Sequence, residues 1–300
     1  MDNLSLLFQA PPLALQLVIE GILLGGIFAL AAYGMALVWG VMNIINIVQG
    51  EWVVLGGFVA LVTHNALGTP VMLGIPVAAV ALFAIGWACY HTIIFRIVDR
   101  DLFTSILATF GLSILFQQLM NTVFGSDVRT LDSGLGTWHW MNNMVTVSQT
   151  KVVGFVLAGI IAVVLTLFMR NSRMGQAIRA TAQNARAARI LGIDTDKVYA
   201  FTYGLNAAVC GAAGAIVVMA FTIHPYQGLI YTVRSFTIVV VAGLGNLPGV
   251  IASAFGLGVA EQYAGFTLGA EYQNAFVFLL LVVILIARNL KLQRERKVLR

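Results

Sequence analysis

The sequence predicts an all-α polytopic membrane protein with eight to nine transmembrane helices, built as a single domain over residues 1–300. Three observations predict it. The chain is 60% hydrophobic and 10% charged, where soluble domains carry roughly 25% charged residues. Residues 21–50, 52–95, 102–126, 152–169, 235–260 and 272–287 contain no charge, and residues 198–233 contain only a neutral His224. A span needs about 20 mostly apolar residues. Finally, 12 of the 17 Lys and Arg residues fall within 170–197 or 288–300, which marks both as edges of the membrane on its basic side.

The spans are expected at about 16–39, 44–63, 71–95, 102–123, 151–170, 199–222, 230–246, 249–265 and 273–288. The N-terminal segment lacks a basic n-region and a small-residue cleavage site, so it does not read as a cleaved signal peptide. Thr63-His64-Asn65-Ala66-Leu67-Gly68-Thr69-Pro70 supplies a turn that divides the long 52–95 stretch. Gly243, Gly245, Pro248 and Gly249 break 235–260 into two short pieces. Lys and Arg mark cytoplasmic edges. This puts Arg96 and Arg100, the 170–197 segment and the tail from Arg288 inside. The 124–150 segment and the N-terminus go outside, the former as a periplasmic loop. Nine spans satisfy all five assignments, and eight require a re-entrant segment. Gly21, Gly25 and Ala29, then Gly204, Ala208 and Ala212, recur at four-residue spacing and suit close helix packing in lipid. Cys89 and Cys210 sit in apolar stretches and read as packing residues rather than a disulfide.

The basic segment reads as a helix. Met174, Ala177, Ile178, Thr181, Ala182, Ala185 and Ala188 share one face, and Gln176, Arg179, Gln183 and Arg186 another. Gly192 suits the helix end and Asp194 the cap of the next helix. Such a helix suits docking to a cytoplasmic partner or anchoring to anionic lipid head groups. A positive balance of +5 in a membrane protein is no argument for nucleic acid.

Polar groups within the spans are the candidate pathway, because they are costly in lipid and face the bundle interior or water. Asn43, Asn46, Gln49 and Glu51 lie together around Gly50. They mark either a broken helix beside a pathway or an interfacial turn. Asn246 in the 243–249 segment has the same two readings. Thr109, Ser113, Gln117 and Asn121 recur at helical spacing and either line a path or bond between helices. Arg234 and Glu261 read as an intramembrane pair or as two separate interfacial residues, and the second is expected. His64, His91, His139 and His224 are scattered, so no metal site is expected. GxSxG, a phosphate-binding GK motif and a potassium-type filter are all missing from the sequence. If transport is ATP-driven, the ATPase is another chain.

Three blocks then carry a family resemblance. The first runs Gly21-Ile22-Leu23-Leu24-Gly25, Ala29-Leu30, Gly34, Trp39-Gly40, Asn46, Gly50-Glu51 and Gly56. The second runs Ser172-Arg173-Met174-Gly175, Ile178-Arg179-Ala180, Asn184, Ala187-Ala188, Leu191-Gly192-Ile193 and Gly211-Ala212-Ala213-Gly214. The third is Gly243, Gly245, Pro248-Gly249, Gly256, Gly258 and Glu261. In this order and spacing the chain resembles the LivH-type membrane permease of branched-chain amino acid ABC importers, over nearly all of its 300 residues.

The resemblance implies the all-α fold of vitamin B12-type (type II) importers. It makes residues 172–198 a cytoplasmic coupling-helix segment, with Arg173, Gly175, Ile178, Arg179, Arg186, Leu191 and Gly192 seating in an ATPase subunit. It implies a LivM-type second permease, two ABC ATPase subunits, a periplasmic solute-binding protein and surrounding membrane lipid as partners. ATP and Mg would sit on the ATPase chains, with no cofactor on this one. The location implied is the bacterial inner membrane, with a cytoplasmic C-terminus. Gln49 stands where relatives usually have His, and Ile47 where they have Phe. Arg288 is followed by Asn289 rather than Pro, and the Arg96–Arg100 run lacks the usual Arg-Pro-Leu-Arg. The solute is therefore a branched-chain amino acid or a related urea, amide or aromatic acid. Low intramembrane charge argues against the alternative, an ion-coupled secondary transporter needing no ATPase.

Overall fold

A computed structural model describes residues 10–98, 100–140, 145–243 and 246–298. Helix α1 (Pro11–Met42) is followed by α2 (Gln49–Leu67), α3 (Gly74–Thr92) and α4 (Leu102–Phe124). A two-stranded antiparallel sheet, β1 (Thr137–Trp140) and β2 (Val145–Ser148), precedes α5 (Gln149–Asn171). Then come α6 (Arg173–Gln183), α7 (Ala185–Ile190), α8 (Thr195–Ala220), α9 (Gly228–Ala242), α10 (Leu247–Leu268) and α11 (Gln273–Val298). Each of the predicted apolar stretches contains one or more of these helices. Seven helical segments are long and apolar enough to cross a membrane. Among the described residues, α9, with 15 residues, and α10 lie outside that set.

Two expectations change. The 124–150 segment is not only loop, because Trp138 and His139 of β1 pair in register with Val147 and Thr146 of β2. The basic segment is not one helix. Asn184 takes an extended conformation, and its side chain accepts from the Ala187 N–H at 3.0 Å, so α6 ends and α7 begins there. A short polar side chain that caps its own backbone competes with helix continuation. Residues Asp99, Met141–Met144 and Leu244–Gly245 carry sequence expectations but lie outside the described residues.

Helix α8 is the enclosed centre, packed on α1, α2 and α3. Small residues allow this. A Cβ added at Gly214 would lie 1.8 Å from the Val53 carbonyl oxygen of α2. Such contact between backbones is how helices associate in lipid, where apolar side chains gain nothing by leaving the tails. At Gly21 and Gly25 an added Cβ would lie 2.5 Å from Val259 Cα and 2.4 Å from Ala254 O of α10. Both cysteines are free, and Cys210 is fully buried.

The connections sort to two ends of the bundle. At one end, Gln16 of α1 donates to Thr146, Lys151 pairs with Glu20, and Arg129 bridges to Ile223 beyond α8. The α2–α3 turn joins them through a cavity shared by His64, Thr69, Asp132 and Ser133. At the opposite end the α3–α4 connection meets the start of α8 in a cavity between His91, Phe95, Arg189 and Asp196.

Gly214→Ala should destabilise the fold near the upper end of the roughly 1–3 kcal/mol typical of overpacking, because backbone must move. Gly111→Ala, whose Cβ meets nothing within 4 Å, should be neutral or slightly stabilising. Thermal melts of the two variants in detergent check the contrast.

Candidate functional site

Helix α1 stops abruptly at an exposed residue, Asn43. Asn43 caps it in the left-handed conformation (φ 54°), donating its N–H to Trp39 O. Asn tolerates this region better than most non-glycine residues. After a short irregular stretch, α2 starts at Gln49, deeply buried. The start of a helix leaves N–H groups without intrahelical acceptors. Here they are found locally and across the bundle. Gln49 N donates to Asn46 O, Glu51 N and Trp52 N donate to Val48 O, and Gly50 N donates to Thr232 Oγ1 of α9 at 2.8 Å. The same Thr232 hydroxyl donates to Ile47 O at 2.9 Å. Gly50 is required, because its Cβ would lie 1.7 Å from Gly228 O at the start of α9.

Side chains from three helices close round this break. Asn46 Nδ2 donates to Gln49 Oε1, and Tyr203 OH of α8 donates to Asn46 Oδ1. Gln49 Nε2 donates to Ala31 O at 2.8 Å and to Cys210 Sγ at 2.9 Å. Thr109 of α4 donates to Ile45 O, and Ser113, one turn on, donates to Glu51 Oε1 at 3.1 Å. Glu51 is 2% exposed, and its other oxygen has no hydrogen bond among the described residues. The Asn206 amide nitrogen is likewise unpartnered. The break therefore offers a free acceptor and free donors inside the bundle, next to two helix N-termini.

A second polar group lies toward the end that carries the 124–150 segment. Arg234 of α9 and Glu261 of α10 form a bidentate pair, with Nε donating to Oε2 at 3.1 Å and Nη2 to Oε1. Arg234 also donates to Asn274 and stands 4.8 Å from the Phe28 ring centroid. The expectation of two separate interfacial residues is thus wrong. Two charges on neighbouring helices are far cheaper paired than apart in a low-dielectric bundle.

At the opposite end α6 lies against α1, α5 and α8. Its N-terminus is capped by Ser172, which accepts from Gly175 N at 2.8 Å. Gly175 sits on the Met169 and Phe168 carbonyls and Ile178 is fully buried, while Arg173, Arg179 and Arg186 are exposed. Arg179 Nη2 donates back to Arg170 O. Ile190 and Leu191 protrude, 81% and 80% exposed, just before Gly192 turns the chain with φ +85°. Asp194 caps α8. The Lys197 backbone N–H and then its side chain hold the Asp194 carboxyl below the usual carboxylate range.

The family model for the permease component of the branched-chain amino acid transport system matches residues 17–285. The chain belongs to this permease family. Among its relatives, the high-affinity branched-chain amino acid transport system permease protein LivH of Escherichia coli (strain K12) is 30% identical over 288 residues, covering 91% of this chain and 92% of the relative. The permease protein BraD of Pseudomonas aeruginosa is 28% identical over 287 residues, with 91% and 94% covered. A probable LivH of Methanocaldococcus jannaschii is 24% identical over 273 residues, with 87% and 85% covered. Among solved structures, PsaBC from Streptococcus pneumoniae in complex with Fab gives a TM-score of 0.49 at 10% identity, covering 94% of each chain.

In this branched-chain amino acid permease family member, the fold gathers Asn46, Gln49, Glu51, Thr109 and Ser113 at one level. Gln117 is partly buried one turn further along α4. Asn246 stands apart, an exposed cap that accepts from Gly249 N at the start of α10. Sequence reasoning missed Thr232, Tyr203, Asn206 and Cys210. Each is an ordinary residue in an apolar run, and only the packing reveals its role. It also did not single out Ile190, which the structure leaves protruding.

Thr232→Val should leave the Gly50 N–H unsatisfied and cost about 1–3 kcal/mol, whereas Thr232→Ser should retain near-wild-type stability. Thermal unfolding of the two variants separates loss of the hydroxyl from loss of the methyl.

Proposed function

We propose that this chain is the transmembrane permease subunit of an ABC importer that moves branched-chain amino acids, or a related small amphipathic solute, inward by ATP-driven alternating access. The observation that carries this is membership of the permease family over residues 17–285. The α6–α7 arm supports it physically, with an apolar side fixed on three spans and a face of arginines left free. ATP hydrolysis, with its Mg, belongs to two ABC ATPase subunits. A periplasmic solute-binding protein delivers the solute. Family membership does not favour the ion-coupled secondary-transporter alternative.

The finer architecture proposed is a nine-span type II permease. In this arrangement α9 and α10 complete the bundle. The 124–150 segment is periplasmic, and the 172–198 coupling segment and the C-terminus are cytoplasmic in the bacterial inner membrane. Positive-inside reasoning supports this sidedness, and so does the sorting of connections to two ends. A LivM-type permease is the proposed neighbour. Helix α4 exposes Gln118 and Thr122 among its apolar residues, and polar side chains of a span do not face lipid cheaply. The proposed pathway runs past Asn46, Gln49, Glu51, Thr109, Ser113 and Gln117, with Asn246 at its inner mouth.

In this mechanism ATP binding moves the arm. Arg173, Arg179 and Arg186 meet the ATPase, Ile190 and Leu191 enter an apolar pocket there, and Gly175 and Ile178 pass the displacement to α1, α5 and α8. Gly192 gives the turn its conformation. Removing a buried interface anchor typically costs about 2 kcal/mol or more of binding. Ile190→Ser/Leu191→Ser should therefore weaken co-purification of the ATPase by about 30-fold. Arg179→Glu/Arg186→Glu should abolish solute-stimulated ATPase activity of the assembled complex while the permease still folds. Unchanged transport by the double Glu variant would remove the coupling role.

A further inference from the structure

Arg234 and Glu261 form one wall of a cavity of about 270 Å³ that reaches Thr222 at its rim. Phe28, Ile230 and Tyr231 supply the apolar wall. We propose that this cavity binds a zwitterionic α-amino acid with an aliphatic side chain, on the way to the buried break. The inference rests on the permease reading above and assigns to its solute a binding site outside the buried break.

Three features select that ligand. The site holds one positive and one negative charge in contact, so its net charge is zero. A lone cation or anion would add an uncompensated charge to this neutral, paired site at low dielectric, whereas a zwitterion adds none. The donors are also free to do it. Bonds to Glu261 and Asn274 use Nε and Nη2 of Arg234. The two Nη1 hydrogens are left to donate charge-assisted bonds to a carboxylate. Each Glu261 oxygen accepts one bond from Arg234 and keeps capacity for an ammonium. Lastly, the rings of Phe28 and Tyr231 hold the guanidinium at 4.8 Å and 6.0 Å and face the same space an aliphatic side chain would fill. The volume falls just below the roughly 300–1,000 Å³ of drug-sized sites, which suits a single amino acid.

The test is protection of a thiol at the rim. Thr222→Cys is introduced in a Cys89→Ser background, since Cys210 is buried, and the assembled transporter is placed in nanodiscs. The rate of modification by a methanethiosulfonate reagent is measured with L-leucine, isocaproate, isoamylamine or isocaproamide present. Leucine should slow modification by about tenfold at about ten times its Kd, while the carboxylate, amine and amide analogues give little protection. Arg234→Gln/Glu261→Gln, which removes both charges at nearly constant shape, should abolish leucine protection with the unprotected rate unchanged. No protection by leucine, or equal protection by a singly charged or amide analogue, would overturn the site. Leucine uptake by the same complex reports separately on the permease reading. Uptake without protection overturns the site alone, and protection without uptake overturns the transport reading alone.

Discussion

A helix that begins inside a membrane bundle must find acceptors for its first N–H groups where no water can supply them. That requirement falls on α2. Its start is met by the carbonyls of Asn46 and Val48 and by the hydroxyl of Thr232, so three otherwise separate stretches of chain are tied at one depth. The glycine at the second position follows directly, since any Cβ there would collide with the start of α9. Two helix N-termini then face each other, and Glu51 places its carboxylate against Gly228 of the second, a favourable position for negative charge.

The arrangement gives the protein a polar interior without a strong fixed charge cluster. Gln49 spans the gap between α1 and α8, and Ser113 ties the lightly packed α4 to Glu51. Two of the spans that hold this centre, α1 and α8, also carry α6 at the far end. A displacement of the arm therefore has a packed route to the break through rigid elements rather than through loops. The Arg234–Glu261 pair ties α9 to α10 nearer the opposite end, so α9 touches both polar regions.

Much of this was legible in the sequence, for physical reasons. Charge-free runs of membrane length revealed the helices, since lipid forbids unpaired polar groups. Gly50 among Asn46, Gln49 and Glu51 marked the break, although only the packing shows how deeply Gln49 and Glu51 are buried there. Helical periodicity gave the inward side of α6, with Ile178 and Thr181 buried as expected, but not its end at Asn184. An Asn there is compatible with helix, and its capping bond to Ala187 appears only in three dimensions. Ala182, assigned to the same apolar side, is exposed, because the helix makes too few contacts to cover a stripe that wide. The pairing of Arg234 with Glu261, and of Thr232 with Gly50, joins residues far apart in the chain, which periodicity does not reach.

The buried start of α2 is most directly tested by hydrogen–deuterium exchange of the permease in lipid nanodiscs. The comparison is between the peptide over residues 43–52 and the α2–α3 turn around residues 67–71. A start sealed within the bundle predicts exchange of the first peptide over hours while the turn exchanges in seconds. Equal, rapid exchange of both would mean that the break lies at the membrane surface, and the account of the interior built on it would fall.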